Sequence, residues 1–156
     1  MKKSSVIIFA TFLICTTGCS KKPVNPVPTS LEIICGGGFG GATKSTLENG
    51  KIIQSPYSQP TNKTVTDITY VEWQDFRNSL DKINVWNWPK SCSRQIFDGG
   101  GCSIKIVYAD KTLDNKYSNS YPSSSGKCID ESYLAKDYNS FWEAWRKLMK
   151  FHPQNN

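Results

Sequence analysis

The sequence has little of what most catalytic and metal-binding sites are built from. Among its 156 residues there is one histidine, His152, and it stands four residues from the end of the chain. No two of the six cysteines have C-x-x-C spacing. Because chain ends are usually mobile and zinc sites draw on closely spaced ligands, we expect no bound metal, no cofactor and no catalysis that depends on histidine.

Long apolar runs are also lacking, which excludes a membrane-spanning helix at the N-terminus. The run from Val6 to Ile14 has nine residues and follows Lys2 and Lys3, which is the layout of an export signal. Thr16-Thr17-Gly18 before Cys19 resembles the lipobox of bacterial lipoproteins, so residues 1–18 are predicted to be a lipoprotein signal peptide and Cys19 to carry the lipid. The alternative is an ordinary cleaved signal with an incidental cysteine.

The location follows from the lipobox resemblance. We expect the protein in the cell envelope, anchored by its lipid, and Ser20 after the cysteine resembles the outer-membrane sorting signal of hosts with two membranes. The protein would then face the periplasm. Residues 19–30 contain three prolines and are predicted to be an extended tether, and residues 31–152 are predicted to form a single domain.

Blocks of charge of one sign are absent from the predicted domain. Lys2 and Lys3 leave with the signal, so 17 of the 19 basic residues remain against 13 acidic residues, a net charge of +4. The charges are scattered, and no basic stripe interleaves with aromatic residues. We therefore expect no nucleic-acid partner.

Four cysteines belong to the predicted domain: Cys35, Cys92, Cys102 and Cys128. An even number in an exported chain predicts two disulfides, with a zinc site as the alternative. The sequence alone leaves three disulfide connectivities open among these four cysteines. Because a glycine turn separates Cys92 from Cys102, we expect these two to pair and Cys35 to pair with Cys128.

Hydrophobic periodicity predicts an α+β domain, an antiparallel sheet covered on one face by two helices. A capping box at Thr69 to Glu72 begins a helix that ends near Asn84, and a second helix covers Tyr138 to Phe151. Residues 54–66 and Ser118 to Lys127 are predicted to be irregular. The predicted strands are Leu31–Cys35, Ala42–Glu48, Lys51–Ile53, Cys102–Tyr108 and Thr112–Tyr117.

Two short motifs match catalytic or phosphate-binding patterns but lack the context that these patterns need. Gly36, Gly38 and Gly41 fit G-x-G-x-x-G, yet the hairpin signal Asn49-Gly50 leaves no room for the helix that would bind a phosphate. Ser124 to Lys127 fits S-x-x-K, yet its glycine and serine neighbours favour a loop. An enzyme is therefore less favoured than a binding protein. The alternative is a cell-envelope hydrolase with a polar pocket around Ser124 or Asp98.

The predicted working surface combines the Gly36 to Gly41 turn with the Ser118 to Pro122 loop. Its candidate binding residues are Gly38, Phe39, Gly40, Asn119 and Tyr121. Five glycines in six residues carry a large entropic cost on folding, which close approach by a partner would explain. In the alternative, the glycines accommodate a bulge and Phe39 caps the core.

Three motifs resemble a group of small, uncharacterised bacterial lipoprotein domains. They are G-G-x-G-G at residues 37–41, D-G-x-x-C at 98–102, where the group has tryptophan in place of the cysteine, and S-N-x-Y-P at 118–122. The glycine-phenylalanine turn also resembles emfourin-type inhibitors of metalloproteases. The resemblance implies a fold and no activity. We expect a lipid-anchored, non-catalytic module that binds a protein or envelope component, with inhibition among its candidate roles.

Overall fold

The computed structural model describes residues 24–37, 41–96 and 99–150, and these ranges contain nine strands and two helices. The strands in chain order are β1 Ser30–Gly37, β2 Ala42–Glu48, β3 Lys51–Pro56, β4 Thr64–Asp67, β5 Ser91–Ser93, β6 Gly100–Val107, β7 Thr112–Ser118, β8 Tyr121–Pro122 and β9 Cys128–Ile129. The helices are α1 Tyr70–Ile83 and α2 Lys136–Leu148. Two 3₁₀ turns lie at Val85–Asn87 and Ser132–Leu134.

Seven strands form one sheet in the order β4-β3-β2-β1-β6-β7-β5, while β8 and β9 form a separate hairpin. Every pairing is antiparallel except that of β5 with β7. The predicted α+β class is therefore confirmed, with a sheet that is antiparallel except for one pair of strands. None of the helices in the described ranges has the length and apolar character needed to cross a membrane.

Alternation along the strands gives the sheet one buried face. Leu31 and Ile33 of β1 lie in register with Ile106 and Ile104 of β6, and all four are buried. They belong to the same hydrophobic cluster as side chains from both helices: Trp73, Phe76, Leu80, Phe141, Trp145 and Leu148. The alternate positions carry charge instead, as in the ion pair of 2.7 Å between Glu32 and Lys44.

The turns and caps form where the sequence predicts them. Asn49 and Gly50 have φ angles of 51° and 78°, the left-handed conformation that a two-residue hairpin turn requires. At the start of α1 the Thr69 hydroxyl accepts a hydrogen bond from the Glu72 N–H, and the Glu72 carboxylate accepts one from the Thr69 N–H. The helix ends at Asn84, whose φ of 55° stops it. The predicted hairpin turn, capping box and helix end are therefore all confirmed.

Several short elements were not predicted. β4 lies partly in the segment 54–66 expected to be irregular, β8 lies inside the expected polar loop and β9 directly after it, and Val85–Asn87 forms a 3₁₀ turn. These pieces have two to four residues, too few for a hydrophobic period to be visible. Upstream of Leu31, Pro26 and Pro28 are buried and the Thr29 N–H donates to the Val107 carbonyl, so the packed part of the chain begins before β1.

Candidate functional site

One end of the large sheet is built almost entirely from glycine. Gly36 and Gly37 at the end of β1 lie in register with Gly101 and Gly100 at the start of β6. Gly36 also pairs with Ala42 of β2. We call these residues, together with Gly41 and Gly99, the glycine end. The predicted binding residues Gly38, Phe39 and Gly40 lie outside the described residues.

The glycines at this end have a reason within the sheet itself. A Cβ atom on Gly37 would overlap the Cα of Gly100, and one on Gly101 would come within 2.6 Å of the Tyr117 carbonyl oxygen. A Cβ on Gly36 would likewise overlap Ala42. Close backbone approach between neighbouring strands therefore accounts for these three glycines without any partner.

The Ser118 to Pro122 loop lies beside the glycine end, as the sequence predicts. The Asn119 N–H donates to the Gly100 carbonyl at 3.2 Å, and a Cβ on Gly99 would overlap the Asn119 side chain. Asn119 has a φ of 55°, and its Nδ2 donates to the Arg94 carbonyl at 3.1 Å. Asn119 therefore joins the glycine end to the segment after β5.

Tyr121, the remaining predicted binding residue, belongs to an aromatic cluster against α2. Its ring centroid lies 4.7 Å from that of Tyr138 and 6.4 Å from that of Tyr117, and Trp142 contacts Tyr138. Burial raises the pKa of the Tyr117 and Tyr138 hydroxyls, so both stay protonated. Tyr121 itself is half-buried, which leaves only part of its side chain for contact with a partner.

The disulfides differ from the predicted pairing. Cys35 bonds to Cys102 and Cys92 bonds to Cys128, with Cα atoms 4.1 Å and 5.6 Å apart. Cys35 and Cys102 lie directly opposite each other on β1 and β6, in the same strand register that sets Gly36 opposite Gly101. Cys92 cannot reach Cys102 because β7 lies between β5 and β6. The predicted pairs Cys92–Cys102 and Cys35–Cys128 are therefore wrong, although all four cysteines are in disulfides.

Ser124 lies in the loop of the hairpin formed by β8 and β9. Its N–H donates to the Asp137 carboxylate at 2.7 Å, and the loop is closed by the Ser123 N–H, which donates to the Lys127 carbonyl. Gly126 turns the chain with a φ of 75°. An acyl-enzyme serine needs a helix start whose N–H groups stabilise the oxyanion, and this loop does not provide one at Ser124.

A charged cluster that the sequence did not indicate centres on Arg77 of α1, whose side chain is buried. Its guanidinium donates to two oxygens of Asp110 at 3.0 and 2.8 Å and to Asp81 at 3.0 Å. The same group lies 5.0 Å from the ring centroid of Trp86 and 4.4 Å from that of Tyr108. The only pair of this cluster that a local pattern in the sequence could have predicted is Arg77 and Asp81, which have i, i+4 spacing on the helix.

Hydrogen bonds keep both carboxylates of this cluster ionised. The bond from Arg77 lowers the pKa of Asp110. Burial by itself would raise the pKa of Asp81, but hydrogen bonds from Lys111, Trp86 and Arg77 outweigh it and lower that pKa. Burial raises the pKa of the Tyr108 hydroxyl. The cluster therefore ties α1 to the Val85–Asn87 turn and to the turn between β6 and β7, and both of its carboxylates are already paired.

Comparison of the sequence with models of known protein families and with curated proteins finds no match.

Proposed function

We propose that the protein is an exported lipoprotein, held to a membrane by a lipid on Cys19, and that its domain binds a protein or another envelope component without catalysing a reaction. The observation that carries the proposal is that all four cysteines of the domain are in disulfides. Such bonds persist in oxidising compartments and are rare in the cytosol. The N-terminal signal pattern supports export, and the lipobox-like residues before Cys19 support the lipid anchor.

The packing of residues 26–29 bears on how the domain would be held. Pro26, the first described residue that is buried, follows Cys19 by seven residues, and an extended chain of that length spans at most about 25 Å. Lys21 and Lys22 lie within this span, where each would attract anionic lipid head groups by about 1 kcal/mol. The tether is thus shorter than residues 19–30 would allow, and the domain stays near the bilayer.

We infer that both helices cover the buried face of the large sheet, because their apolar side chains share its hydrophobic cluster. The glycine end is then one place where a partner can reach the sheet, with Phe39 between Gly38 and Gly40 as the anchor and Asn119 and Tyr121 beside it. An aromatic side chain in a loop is a common anchor in protein recognition. Inhibition of an envelope enzyme is among the roles that such a surface can serve.

Lipidation is tested by metabolic labelling of the full-length chain with a palmitate analogue. We expect label on the wild-type protein and on Cys15→Ala, and none on Cys19→Ala. Equal labelling of Cys19→Ala would reject the lipid anchor at this position. The thiol count of the exported protein, measured with a maleimide reagent before and after reduction, separately tests whether the domain is oxidised in the cell.

The binding surface is tested by cross-linking the intact lipoprotein in native membranes. Phe39→Ala should lose the cross-linked products while its melting temperature stays close to that of the wild type, whereas Tyr133→Ala, which changes a side chain 73% exposed elsewhere, should keep them. If Phe39 is instead a core residue, its removal should lower the free energy of unfolding by about 3 to 5 kcal/mol, and the binding proposal for this loop fails.

A further inference from the structure

The outer edge of β7 is covered along only part of its length. β5 pairs with Lys116, Tyr117 and Ser118, and none of the other described strands lies beside residues 112–115 on that side. A groove of about 470 Å³ runs along this uncovered part, between β7 and the chain from Val85 to Lys90. Exposed strand edges are the usual place where proteins add a strand from a partner.

The hydrogen-bond pattern shows which backbone groups face the groove. The Tyr108 N–H donates to the Lys111 carbonyl within the β6–β7 pair, whereas the Lys116 N–H donates outward to the Lys90 carbonyl. Backbone groups alternate along a strand, so those of Thr112 and Asp114 point outward as those of Lys116 do. Among the described residues, these outward groups of Thr112 and Asp114 have no hydrogen-bond partner.

Local sequence explains why β5 does not extend over this edge. Pro89 has no N–H to donate to a ladder, and its carbonyl accepts a hydrogen bond from the Asn115 side chain. The Pro89 carbonyl is thus bonded to a side chain and not to the backbone of residues 112–115. The Cys92–Cys128 disulfide fixes the position of β5, which borders one end of the groove.

The two walls of the groove differ in character. Leu113 and Asn115 are buried, and on their side the groove is lined by Val85, Trp86 and Trp88. Thr112, Asp114 and Lys116 are exposed, and the exposed Lys90 also lines the groove. Within the described ranges neither Lys90 nor Lys116 forms an ion pair. Two cations against one carboxylate, that of Asp114, give the lining of the groove a net positive charge.

We propose that the edge of β7 at residues 112–115 docks an extended segment of another protein whose side chains alternate between apolar and acidic. The segment's backbone pairs with the outward groups of Thr112 and Asp114. Its apolar side chains face Trp86 and its acidic side chains face Lys90 and Lys116, since successive side chains of a strand point to opposite faces. This site rests on the proposed binding role but not on the lipid anchor or on Phe39.

The probe for the test is a capped peptide of seven residues in which valine and glutamate alternate. We expect it to bind the full-length protein in detergent, and to bind Cys19→Ala equally well, so that a failed lipidation test leaves this test intact. On binding, amide exchange at Thr112 and Asp114 should slow at least tenfold, while that at Leu113, already paired with β6, should change little. A peptide with lysine in place of glutamate should bind about tenfold more weakly, as expected for the loss of roughly 1.4 kcal/mol.

Two variants locate the site. Thr112→Pro removes an outward N–H and should weaken peptide binding about tenfold, the loss expected for one backbone hydrogen bond. Val65→Pro is the matched control, because the Tyr57 N–H donates to Ala42 and the same alternation points the Val65 N–H outward on the opposite edge strand β4. Lys116→Glu should weaken binding of the glutamate peptide and strengthen binding of the lysine peptide.

Three results would overturn the proposal. The first is no binding of the glutamate peptide by the wild-type protein at millimolar concentration. The second is binding that protects amides elsewhere while leaving those of Thr112 and Asp114 unchanged, a readout that holds even if Thr112→Pro fails to fold. The third is a dimer of the wild-type chain, seen by analytical ultracentrifugation and abolished by Thr112→Pro, which would assign the edge to a second copy of the chain.

Discussion

Arg77 and Asp110 stand 33 residues apart in the chain and form a two-pronged ion pair, with Nη1 and Nη2 at 3.0 and 2.8 Å from the two carboxylate oxygens. The pair joins α1 to the turn between β6 and β7. The turn leads directly into Thr112, so the pair also fixes one end of the groove along β7. Two aromatic rings, those of Trp86 and Tyr108, flank the guanidinium.

Arg77→Met should lower the free energy of unfolding by about 2 kcal/mol, because it leaves Asp110 without its side-chain donor and removes one of the three donors to Asp81, at a site that water reaches only in part. Urea unfolding of the full-length protein measures the change. The control is Arg94→Met, whose ion pair with Glu131 is exposed and has a distance of 3.7 Å, and it should change stability by less than about 0.5 kcal/mol. A similar loss in both variants would contradict a special role for Arg77.

Acidification should weaken the contact between Arg77 and Asp110. The hydrogen bond from Arg77 lowers the pKa of Asp110 below its ordinary value of 3.8, so the native state binds the proton less readily than the unfolded state. The stabilisation is therefore fully present above about pH 4 and is lost as the pH falls through the lowered pKa. Urea unfolding of wild type and Asp110→Asn should differ above pH 4 and converge below it.

The double variant supplies the control for this pH dependence. In an Arg77→Met background the donor is gone, so Asp110→Asn should change stability little at any pH. A difference between wild type and Asp110→Asn that persists unchanged below pH 3 would contradict the assignment of the effect to this carboxylate.

Peptide mapping under non-reducing conditions should recover Cys35 joined to Cys102 and Cys92 joined to Cys128. By loop entropy each bond should contribute about 4 kcal/mol, since they close loops with sequence separations of 67 and 36 residues. The two double alanine variants, each lacking one bond, should therefore unfold at similarly reduced urea concentrations. Recovery of Cys92 joined to Cys102 would show that the strand order is wrong.

Gly37→Ala should destabilise the domain by about 1 to 3 kcal/mol, because its methyl group overlaps the backbone of Gly100 and because its φ of 152° is one that side chains rarely adopt. Gly100→Ala is the comparison on the facing strand, at a position without a positive φ. Its methyl group would meet nothing closer than the Gly36 carbonyl oxygen at 3.3 Å, so it should cost less. Thermal unfolding measures both. If the two variants lose the same stability, β1 and β6 do not approach each other at Gly37 and Gly100 as closely as in this structure.

Features that depend on neighbouring residues could be predicted from the sequence. The alternation of Leu31, Ile33 and Cys35, the capping box at Thr69 and the hairpin at Asn49-Gly50 each involve residues at most four positions apart, so the local chain carries the whole signal. The proximity of the glycine turn and the Ser118 to Pro122 loop was also predicted, although their role in binding remains a proposal.

The order of the strands in the sheet decided the disulfide pairing and the long-range contacts, which the sequence could not predict. Placing β7 between β5 and β6 separates Cys92 from Cys102, and placing β1 beside β6 sets Cys35 opposite Cys102 and the two glycine runs against each other. The same order buries Arg77 beside Asp110 and leaves residues 112–115 of β7 uncovered. These relationships join residues dozens of positions apart, and no local pattern encodes them because they arise only when the whole hydrophobic face of the sheet is buried at once.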